Sequence, residues 1–368
     1  MKTVLIAAAA TALLLFLVSI DGQQAWLQGA RGGYASLCVF MAIYLVGRTL
    51  AHRRANAART REDETPGQLP TTESTLSREL PQEPTVLASP PVPDHEAWVD
   101  IGGRQYLIEA DPAYLAHIRP VFEPRMAKVF HLLASGARTV VDVGANVGCT
   151  ALLYSRIAKR VHAFEPSRET FGQLERNVGR AGEAGNLTLH QMALGSSCDT
   201  LELVASPYFR AGSFIGSLSE VSVGHVAEQV EVRTLDVVAA ELRIEEIDFI
   251  KIDTEGFDGE VVRGAMAVLR SNSPIVVMEL NHWCLNVSRR TSVPDYLDHL
   301  RSVFPVLFAL SDDGETYLDL HNKDHRYNVM YRHILHGDYV NLLGAFDLTR
   351  LSAFLAEFRC DYWRAAQE

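Results

Sequence analysis

The chain has 368 residues, of which 48% are hydrophobic and 21% charged, a composition typical of a globular protein. Its net charge of −11 argues against general nucleic-acid binding, because neutralising phosphates requires clustered Lys and Arg. The five cysteines are widely spaced without a CxxC pair, which favours reduced thiols over a disulfide framework or a zinc site.

The first 50 residues predict a membrane anchor of one or two helices. The uncharged apolar run from Val4 to Ile20 would be about 26 Å long as a helix, within the range of membrane spans. A second uncharged stretch, Gly32 to Gly47, would be about 24 Å long and is marginal by itself. Five arginines between Arg48 and Arg61 then place the rest of the chain in the cytosol by the positive-inside rule. A cleaved signal peptide followed by export is the alternative that the sequence leaves open.

Residues 51–95 predict a linker that is first basic and then rich in Pro and Glu. Seven of the fifteen prolines and eight acidic residues fall between Glu62 and Glu96. Such a segment cannot bury enough apolar surface to order itself, so it is expected to act as an extended tether. The remaining residues, 96–368, are expected to form one globular domain with its core at about 122–310.

Within this domain, strand and helix patterns alternate along the chain. A strand pair is predicted around Gly102, and a helix from Glu123 to Ala134. The further predicted strands are Thr139–Val143, Val161–Phe164, Leu187–Gln191, Ile247–Ile252, Ile275–Leu280 and Val306–Leu310. The helices between them are Cys149–Ala158, Arg168–Ala181, Asp258–Leu269 and Pro294–Val303, with an antiparallel insertion at 200–232 and a packing helix at 347–363. This order predicts an α/β fold, a Rossmann-like parallel sheet with helices on both faces.

A glycine-rich turn follows the first of these strands. The strand ends with Asp142, and Gly144, Asn146 and Gly148 follow before the next helix begins. Glycines let the backbone approach a ligand closely, the N-terminus of a helix favours a carboxylate, and Asp142 can accept hydrogen bonds from an ammonium group. S-adenosylmethionine carries both groups on its methionine end. A dinucleotide site is the alternative, although it expects the spacing GxGxxG.

Glu165 stands about twenty residues later, where the next strand ends. An acid at this position accepts hydrogen bonds from the paired hydroxyls of a ribose. It therefore indicates an adenosine ligand, without distinguishing S-adenosylmethionine from NAD.

Two later segments indicate catalytic groups at the same edge of the sheet. Asp253 and Glu255 follow the strand Ile247–Ile252 in a tight turn, and His282 follows the next strand. Because a hydroxyl becomes a good nucleophile only when its proton leaves, methylation of an oxygen benefits from a general base. His282 is the predicted base, with Asp253, Glu255 or Glu279 orienting it or replacing it. The reaction requires no metal, and none is predicted.

The ordered motifs DVGANVG, FEPS, MALG, TLD, IKIDTEGFDGEVVRGA and VVMEL resemble the FkbM-type methyltransferase family over about 122–310. The resemblance implies a class I methyltransferase fold and the transfer of a methyl group from S-adenosylmethionine to a hydroxyl. It assigns Asp142, Gly144, Asn146 and Gly148 to the methionine end of the cofactor, and Glu165 to its ribose. It also places Asp253 and Glu255 in an acidic turn at the active edge.

The expected acceptor is therefore a small molecule, glycan or lipid, met by a membrane-attached domain on the cytosolic side. No nucleic acid and no obligatory protein partner are predicted. Two alternatives remain at this stage: a nucleotide-dependent oxidoreductase on a similar sheet, and a catalytically silent, membrane-tethered adaptor that keeps the methyltransferase fold.

Overall fold

The computed structural model describes residues 94–360, except 183, 206–211, 217–225 and 313. The predicted anchor at 1–50 and nearly all of the predicted linker lie outside these described residues. Among the described residues, no helix is both long enough and apolar enough to cross a membrane.

Fifteen strands and eleven helices form the described part of the chain. The strands are β1 (Glu96–Ile101), β2 (Arg104–Glu109), β3 (Thr139–Val143), β4 (Val161–Phe164), β5 (Leu187–His190), β6 (Ala193–Leu194), β7 (Asp199–Ala205), β8 (Phe214–Ile215), β9 (Val226–Arg233), β10 (Ile247–Ile252), β11 (Ile275–Glu279), β12 (Val306–Leu310), β13 (Thr316–Asp319), β14 (Asn341–Ala345) and β15 (Arg359–Cys360). The helices are α1 (Pro112–Ile118), α2 (Pro124–Ala134), α3 (Cys149–Ile157), α4 (Arg168–Ala181), α5 (Leu235–Leu242), α6 (Asp258–Arg263), α7 (Met266–Asn272), α8 (His282–Arg289), α9 (Val293–Val303), α10 (Lys323–His336) and α11 (Ser352–Glu357).

The main sheet contains nine strands in the order β15-β13-β12-β14-β11-β10-β3-β4-β5. Five neighbouring strands of this sheet are parallel: β5, β4, β3, β10 and β11. Strand β14 runs antiparallel between β11 and β12. Except for this inserted strand and the edge strands β13 and β15, the order of the strands is that of the doubly wound Rossmann sheet. The predicted Rossmann-like α/β fold is therefore confirmed.

Both faces of the sheet are covered, as the sequence predicted. Successive side chains of a strand point to opposite faces, so Val141 and Val143 of β3 join one buried cluster while Val140 joins the other. Helices α5 to α10 contribute to the first cluster, and α1 to α4 with α11 contribute to the second. A second sheet has four strands in the order β6-β9-β7-β8. Strands β7, β8 and β9 form the predicted antiparallel insertion, and β6 pairs with β9 in parallel.

Two predicted helices are wrong in their extent. The predicted helix Asp258–Leu269 is two helices, because the backbone of Gly264 passes so close to Gly195 that a Cβ on Gly264 would lie 1.8 Å from the Gly195 carbonyl oxygen. Asp236 then accepts hydrogen bonds from the backbone N–H groups of Ala267 and Val268, which begins the second helix. The predicted helix at 347–363 is a 3₁₀ turn, the short α11 and the edge strand β15.

Candidate active site

A cavity lies at the carboxyl ends of the central parallel strands, where β3 and β10 are neighbours and the order of the strands reverses. Open α/β sheets bind their ligands at this position. Gly144 and Asn146 line it from the turn after β3, and Glu165 from the end of β4. The acidic turn after β10 and Glu279 at the end of β11 line its other side. The structure thus brings together most of the residues that the sequence singled out.

The glycines of the first turn are required by packing within the protein. Gly144 and Gly148 have positive φ angles of 74° and 99°, which an L side chain rarely adopts. A Cβ on Gly144 would lie 1.8 Å from the backbone oxygen of Asp253, and one on Gly148 would lie 2.6 Å from Leu174 Cδ1. The predicted reason for these glycines, close approach to a ligand, is therefore not needed to explain them, and Gly148 is not among the described residues that line the cavity.

Asp142 does not face the cavity either. Its side chain is fully buried beneath the turn, where it accepts a hydrogen bond of 2.7 Å from the Thr150 hydroxyl and lies 3.6 Å from Lys251 Nζ. Burial raises the pKa of Asp142, and the Lys251 cation opposes that rise. The ammonium of Lys251 thus lies beside Asp142, while Asp142 Oδ1 is buried without a hydrogen-bond partner, and the assignment of Asp142 to the cofactor stays a prediction.

Lys251 links the two turns that border the cavity. Its ammonium donates a 2.8 Å hydrogen bond to the Gly144 carbonyl and lies 3.3 Å from Asp253 Oδ2. Burial by itself would lower the pKa of Lys251, but the Asp253 and Asp142 carboxylates raise it overall. Sequence reasoning missed this residue. The signal in the sequence was a single cation within an apolar strand. In the structure Lys251 is the register partner of Asp142 between β10 and β3.

Glu165 lines the cavity and is held there by the backbone. Its side chain is 8% exposed, and its two oxygens accept hydrogen bonds from the backbone N–H groups of Ser167 and Asn146, at 2.9 and 3.0 Å. Burial raises the pKa of Glu165 to about 7, although both backbone donors lower it. Each carboxylate oxygen has a second lone pair that can accept a hydroxyl of a ligand.

Next to Glu165 the cavity wall is apolar. This part of the wall is formed by Phe164, Met192, Leu194, Leu203 and Ile215. Adenosine combines an aromatic base, which an apolar wall can contact, with ribose hydroxyls, which a carboxylate can accept. The residues present therefore fit the adenosine half of S-adenosylmethionine. Asp142, predicted to contact its ammonium group, is fully buried and is not among the described residues that line the cavity.

The acidic turn is held by the beginning of α8. Glu255 has a left-handed φ of 51°, and its Oε2 accepts a 2.8 Å hydrogen bond from the Asn281 amide and lies 3.4 Å from Cys284 Sγ. Burial, and then the nearby Asp253 carboxylate, raise the pKa of Glu255 to about 8. Burial likewise raises the pKa of Glu279 well above its ordinary value. One oxygen of Glu279, Oε2, is buried without a hydrogen-bond partner.

One carboxylate oxygen from each of Asp253, Glu255 and Glu279 lies within 4.8 Å of the others. Among the described residues, these three side chains are the group close enough together to hold one metal ion. The sequence predicted no metal, and the tight turn and the neighbouring strand end bring the three acids together.

His282 begins α8 beside the cavity and is not among its described lining residues. Its Nδ1 lies 3.1 Å from Nε2 of His333, whose own Nδ1 lies 2.9 Å from the Asp338 carbonyl oxygen. Because that carbonyl can only accept, the neutral His333 carries its proton on Nδ1 and accepts one from His282 Nδ1. Burial lowers the pKa of His282 and lowers that of His333 to about 4.

Three lining residues come from the segment before the first glycine turn, and sequence reasoning missed them. Tyr114 and His117 are on α1, and Glu123 precedes α2 with a left-handed φ of 31°. Burial raises the pKa of Tyr114 well above its ordinary value. No local motif marks these residues, because only the return of the chain over the sheet edge brings them to the cavity.

Comparison with known proteins agrees with this architecture. Residues 142–304 match the family model described as the methyltransferase FkbM domain. Residues 142–304, called the FkbM domain below, are therefore similar to this family of methyltransferases. The resemblance predicted from the motifs is thereby confirmed, and the FkbM domain contains the glycine turn, Glu165 and the acidic turn.

The most informative relatives are similar over about a third of this chain. The hexuronic acid methyltransferase AglP of Haloferax volcanii is 32% identical over 142 residues, which cover 37% of this chain and 53% of that protein. Methyltransferase sdnD of Sordaria araneosa is 29% identical over 153 residues, covering 34% of this chain and 59% of the relative. The chain therefore spans just over half the length of these relatives.

Among solved structures, the FkbM methyltransferase of Methylobacillus flagellatus is 18% identical and covers 46% of this chain and 38% of that one, with a TM-score of 0.34. A similarity of that degree is too low to support a conclusion about function.

Proposed function

We propose that the FkbM domain transfers a methyl group from S-adenosylmethionine to a hydroxyl of a sugar, glycan, lipid or natural-product acceptor. The observation that carries the proposal is the cavity at the reversal of the strand order, whose lining combines Glu165 and an apolar wall with the carboxyl groups of the acidic turn and Glu279. The FkbM family match favours methyl transfer over the alternative of a nucleotide-dependent oxidoreductase.

In this proposal Glu165 accepts the ribose hydroxyls, and the apolar wall beside it contacts the adenine. The backbone of Gly144 and Asn146 borders the methionine end. The bound cofactor supplies an electrophilic methyl group. Holding this group in line with the acceptor oxygen accounts for most of the acceleration, because alignment of two reactants is worth about 7–11 kcal/mol in favourable systems.

Glu255 is the proposed general base. A base works best when its pKa lies near the working pH, and burial raises the pKa of Glu255 to about 8. In the deprotonated state its carboxylate accepts the proton of the acceptor hydroxyl, while Asn281 keeps the side chain in place. His282, the base predicted from the sequence, lies beside the cavity without lining it among the described residues, which favours Glu255.

The charge of the cavity supports an uncharged acceptor group. Five of the described lining residues are acids and none is Lys or Arg; the acids are Glu123, Glu165, Asp253, Glu255 and Glu279. A carboxylate acceptor would find no lining Lys or Arg to pair with, and it would favour the protonated forms of these acids, which costs binding free energy. The name of the AglP relative mentions a hexuronic acid, but for this chain we propose an acceptor with a neutral hydroxyl.

Calorimetry on the full chain tests the cofactor. We expect S-adenosylhomocysteine to bind and NAD not to bind. The substitution Glu165→Gln is expected to weaken S-adenosylhomocysteine about 10- to 100-fold, since a hydrogen bond to a charged group contributes about 1.5–3 kcal/mol. Glu169→Gln, an exposed acid in the first turn of α4, is the matched control and is expected to bind normally.

Transfer of a tritiated methyl group to neutral and to acidic glycans then tests the acceptor. Labelling of neutral glycans is expected. Selective binding of NAD in the calorimetry would refute the proposal, and cofactor binding without labelling of any glycan, lipid or metabolite fraction would favour the silent adaptor.

A further inference from the structure

Helix α10 has one face packed on the domain and an apolar face exposed to solvent. His325, Val329 and His333 form its buried face. The opposite side carries four large side chains that are between 48% and 69% exposed: Tyr327, Tyr331, Ile334 and Leu335. We call these four residues the α10 stripe.

The geometry of the helix makes the stripe continuous. At about 100° per residue, the four side chains fall within an arc of about 100° on one side of the helix. The centre of the buried face lies on the other side of the helix axis, so the domain cannot cover the stripe without releasing Val329 from its core. Surface helices normally carry polar residues on the outer face.

The stripe is also concentrated compared with the rest of the surface. It contains four of the ten large hydrophobic side chains that are exposed in the described part of the chain, within nine consecutive residues. Single exposed apolar residues are ordinary, but contiguous apolar patches mark interaction sites.

We propose that the α10 stripe contacts the headgroup region of a lipid bilayer. Tyrosine suits this region, because its ring is apolar while its hydroxyl remains in water, and Tyr is enriched where proteins meet membrane interfaces. Lys323 and Asp324, both exposed, begin the same side of the helix, where the long Lys323 side chain lets its charge stay at the water boundary and Asp324 lies at the end of the stripe.

The rest of the chain supplies the reason for choosing a bilayer as the occupant. The apolar runs Val4 to Ile20 and Gly32 to Gly47 precede the domain, and only 32 residues, from 62 to 93, separate the last arginine of the basic cluster from the first described residue. Fully extended, 32 residues span at most roughly 110 Å. The choice of a bilayer rests on the membrane anchor predicted for residues 1–50: a domain attached through such an anchor would meet the bilayer at a high effective concentration, so a small patch would suffice for contact.

A second copy of the chain is a poorer occupant for the stripe. A stable interface between proteins uses about 20–30 residues on each side. The four side chains of the stripe are far fewer than that number. This inference does not depend on the proposed methyltransferase activity, because it rests on α10 and on the sequence that precedes the domain.

Photo-crosslinking of the full chain in phosphatidylcholine vesicles with radiolabelled lipid tests the inference. Tyr331 is replaced by p-benzoylphenylalanine, and flotation first establishes that the chain associates with the vesicles. The matched control carries the same crosslinker in place of Leu242, which ends α5 and is half exposed outside the stripe. We expect a lipid adduct with the crosslinker at position 331 and no adduct with the crosslinker at position 242. Crosslinking carried out in 1 M salt is expected to give the same adduct, because an apolar contact is not screened by salt.

The contrary outcomes are equally clear. A chain that does not float with the vesicles, or one that floats without a lipid adduct at position 331, overturns the proposal. An adduct to a second copy or to residues 1–93 of the same chain would identify a different occupant and also overturn it. Retained cofactor binding or an unchanged circular dichroism spectrum shows that each variant is folded.

Discussion

The two turns that border the cavity look alike in the sequence but differ in what their polar groups contact. In the glycine turn after β3, Asp142 is bonded to Thr150 and lies beside Lys251, and Gly144 packs against the backbone of Asp253. In the acidic turn after β10 the carboxylates line the cavity, and the neighbouring Glu279 keeps one buried oxygen without a partner.

This difference teaches how a site can be recognised. Asp142 and Glu279 each keep one buried oxygen without a hydrogen-bond partner, and burial raises the pKa of both. They differ in position, because Glu279 lines the cavity, whereas Asp142 lies beneath the turn beside Lys251. The glycine turn therefore supports the site, and the acidic turn is the candidate for its chemistry.

The largest expected effect concerns catalysis by the acidic turn. Glu255→Gln keeps a carbonyl oxygen for Asn281 but removes the proposed base, so kcat for methyl transfer is expected to fall about 10²- to 10⁴-fold. Single-turnover assays with saturating cofactor measure this change. His282→Asn is the control and should retain most of the activity. A loss in His282→Asn as large as that in Glu255→Gln would return the role of base to His282.

The next effect concerns the stability of the glycine turn. Lys251→Met leaves Asp142 buried without its cation, and removing one partner of a buried ion pair costs about 3–5 kcal/mol. Urea unfolding of the full chain measures the loss. The double variant Asp142→Asn/Lys251→Met should recover part of it, because the uncompensated charge is gone. If Lys251→Met unfolds at the same urea concentration as the wild type, the pair does not support the turn.

The smallest effect is a dependence of stability on pH that originates in the acidic turn. The folded-state pKa of Glu255, about 8, lies above its ordinary value of 4.5, so the folded protein binds more protons than the unfolded chain between these values. The stabilisation from Glu255 is therefore present at low pH and is lost as the pH rises towards 8. Glu255→Gln cannot ionise, and its free energy of unfolding at pH 8 should exceed that of the wild type by on the order of 1–3 kcal/mol.

Unfolding curves recorded between pH 5 and pH 8.5 check this expectation. Glu245→Gln, an exposed acid before β10, is the control and should follow the wild type. A wild-type free energy of unfolding that rises over this range in parallel with the Glu255→Gln variant would contradict it.

The sequence by itself determined the elements and which of their ends carry the chemistry. Alternating apolar patterns located the parallel strands, and the carboxyl ends of parallel strands meet at one edge of a sheet. For this reason Glu165, Asp253 and Glu255 could be assigned to one edge before any coordinates were known. These inferences depend on neighbours along the chain, and the sequence contains that information directly.

Only the tertiary structure decided which of these groups is free to act. That Lys251 neutralises Asp142 depends on the register between β3 and β10, and that Tyr114 and His117 reach the cavity depends on how α1 returns over the sheet. The exposed stripe of α10 likewise becomes visible only when its opposite face is seen to pack on the core. These facts arise from contacts between distant parts of the chain, which the periodicity of a single segment does not encode.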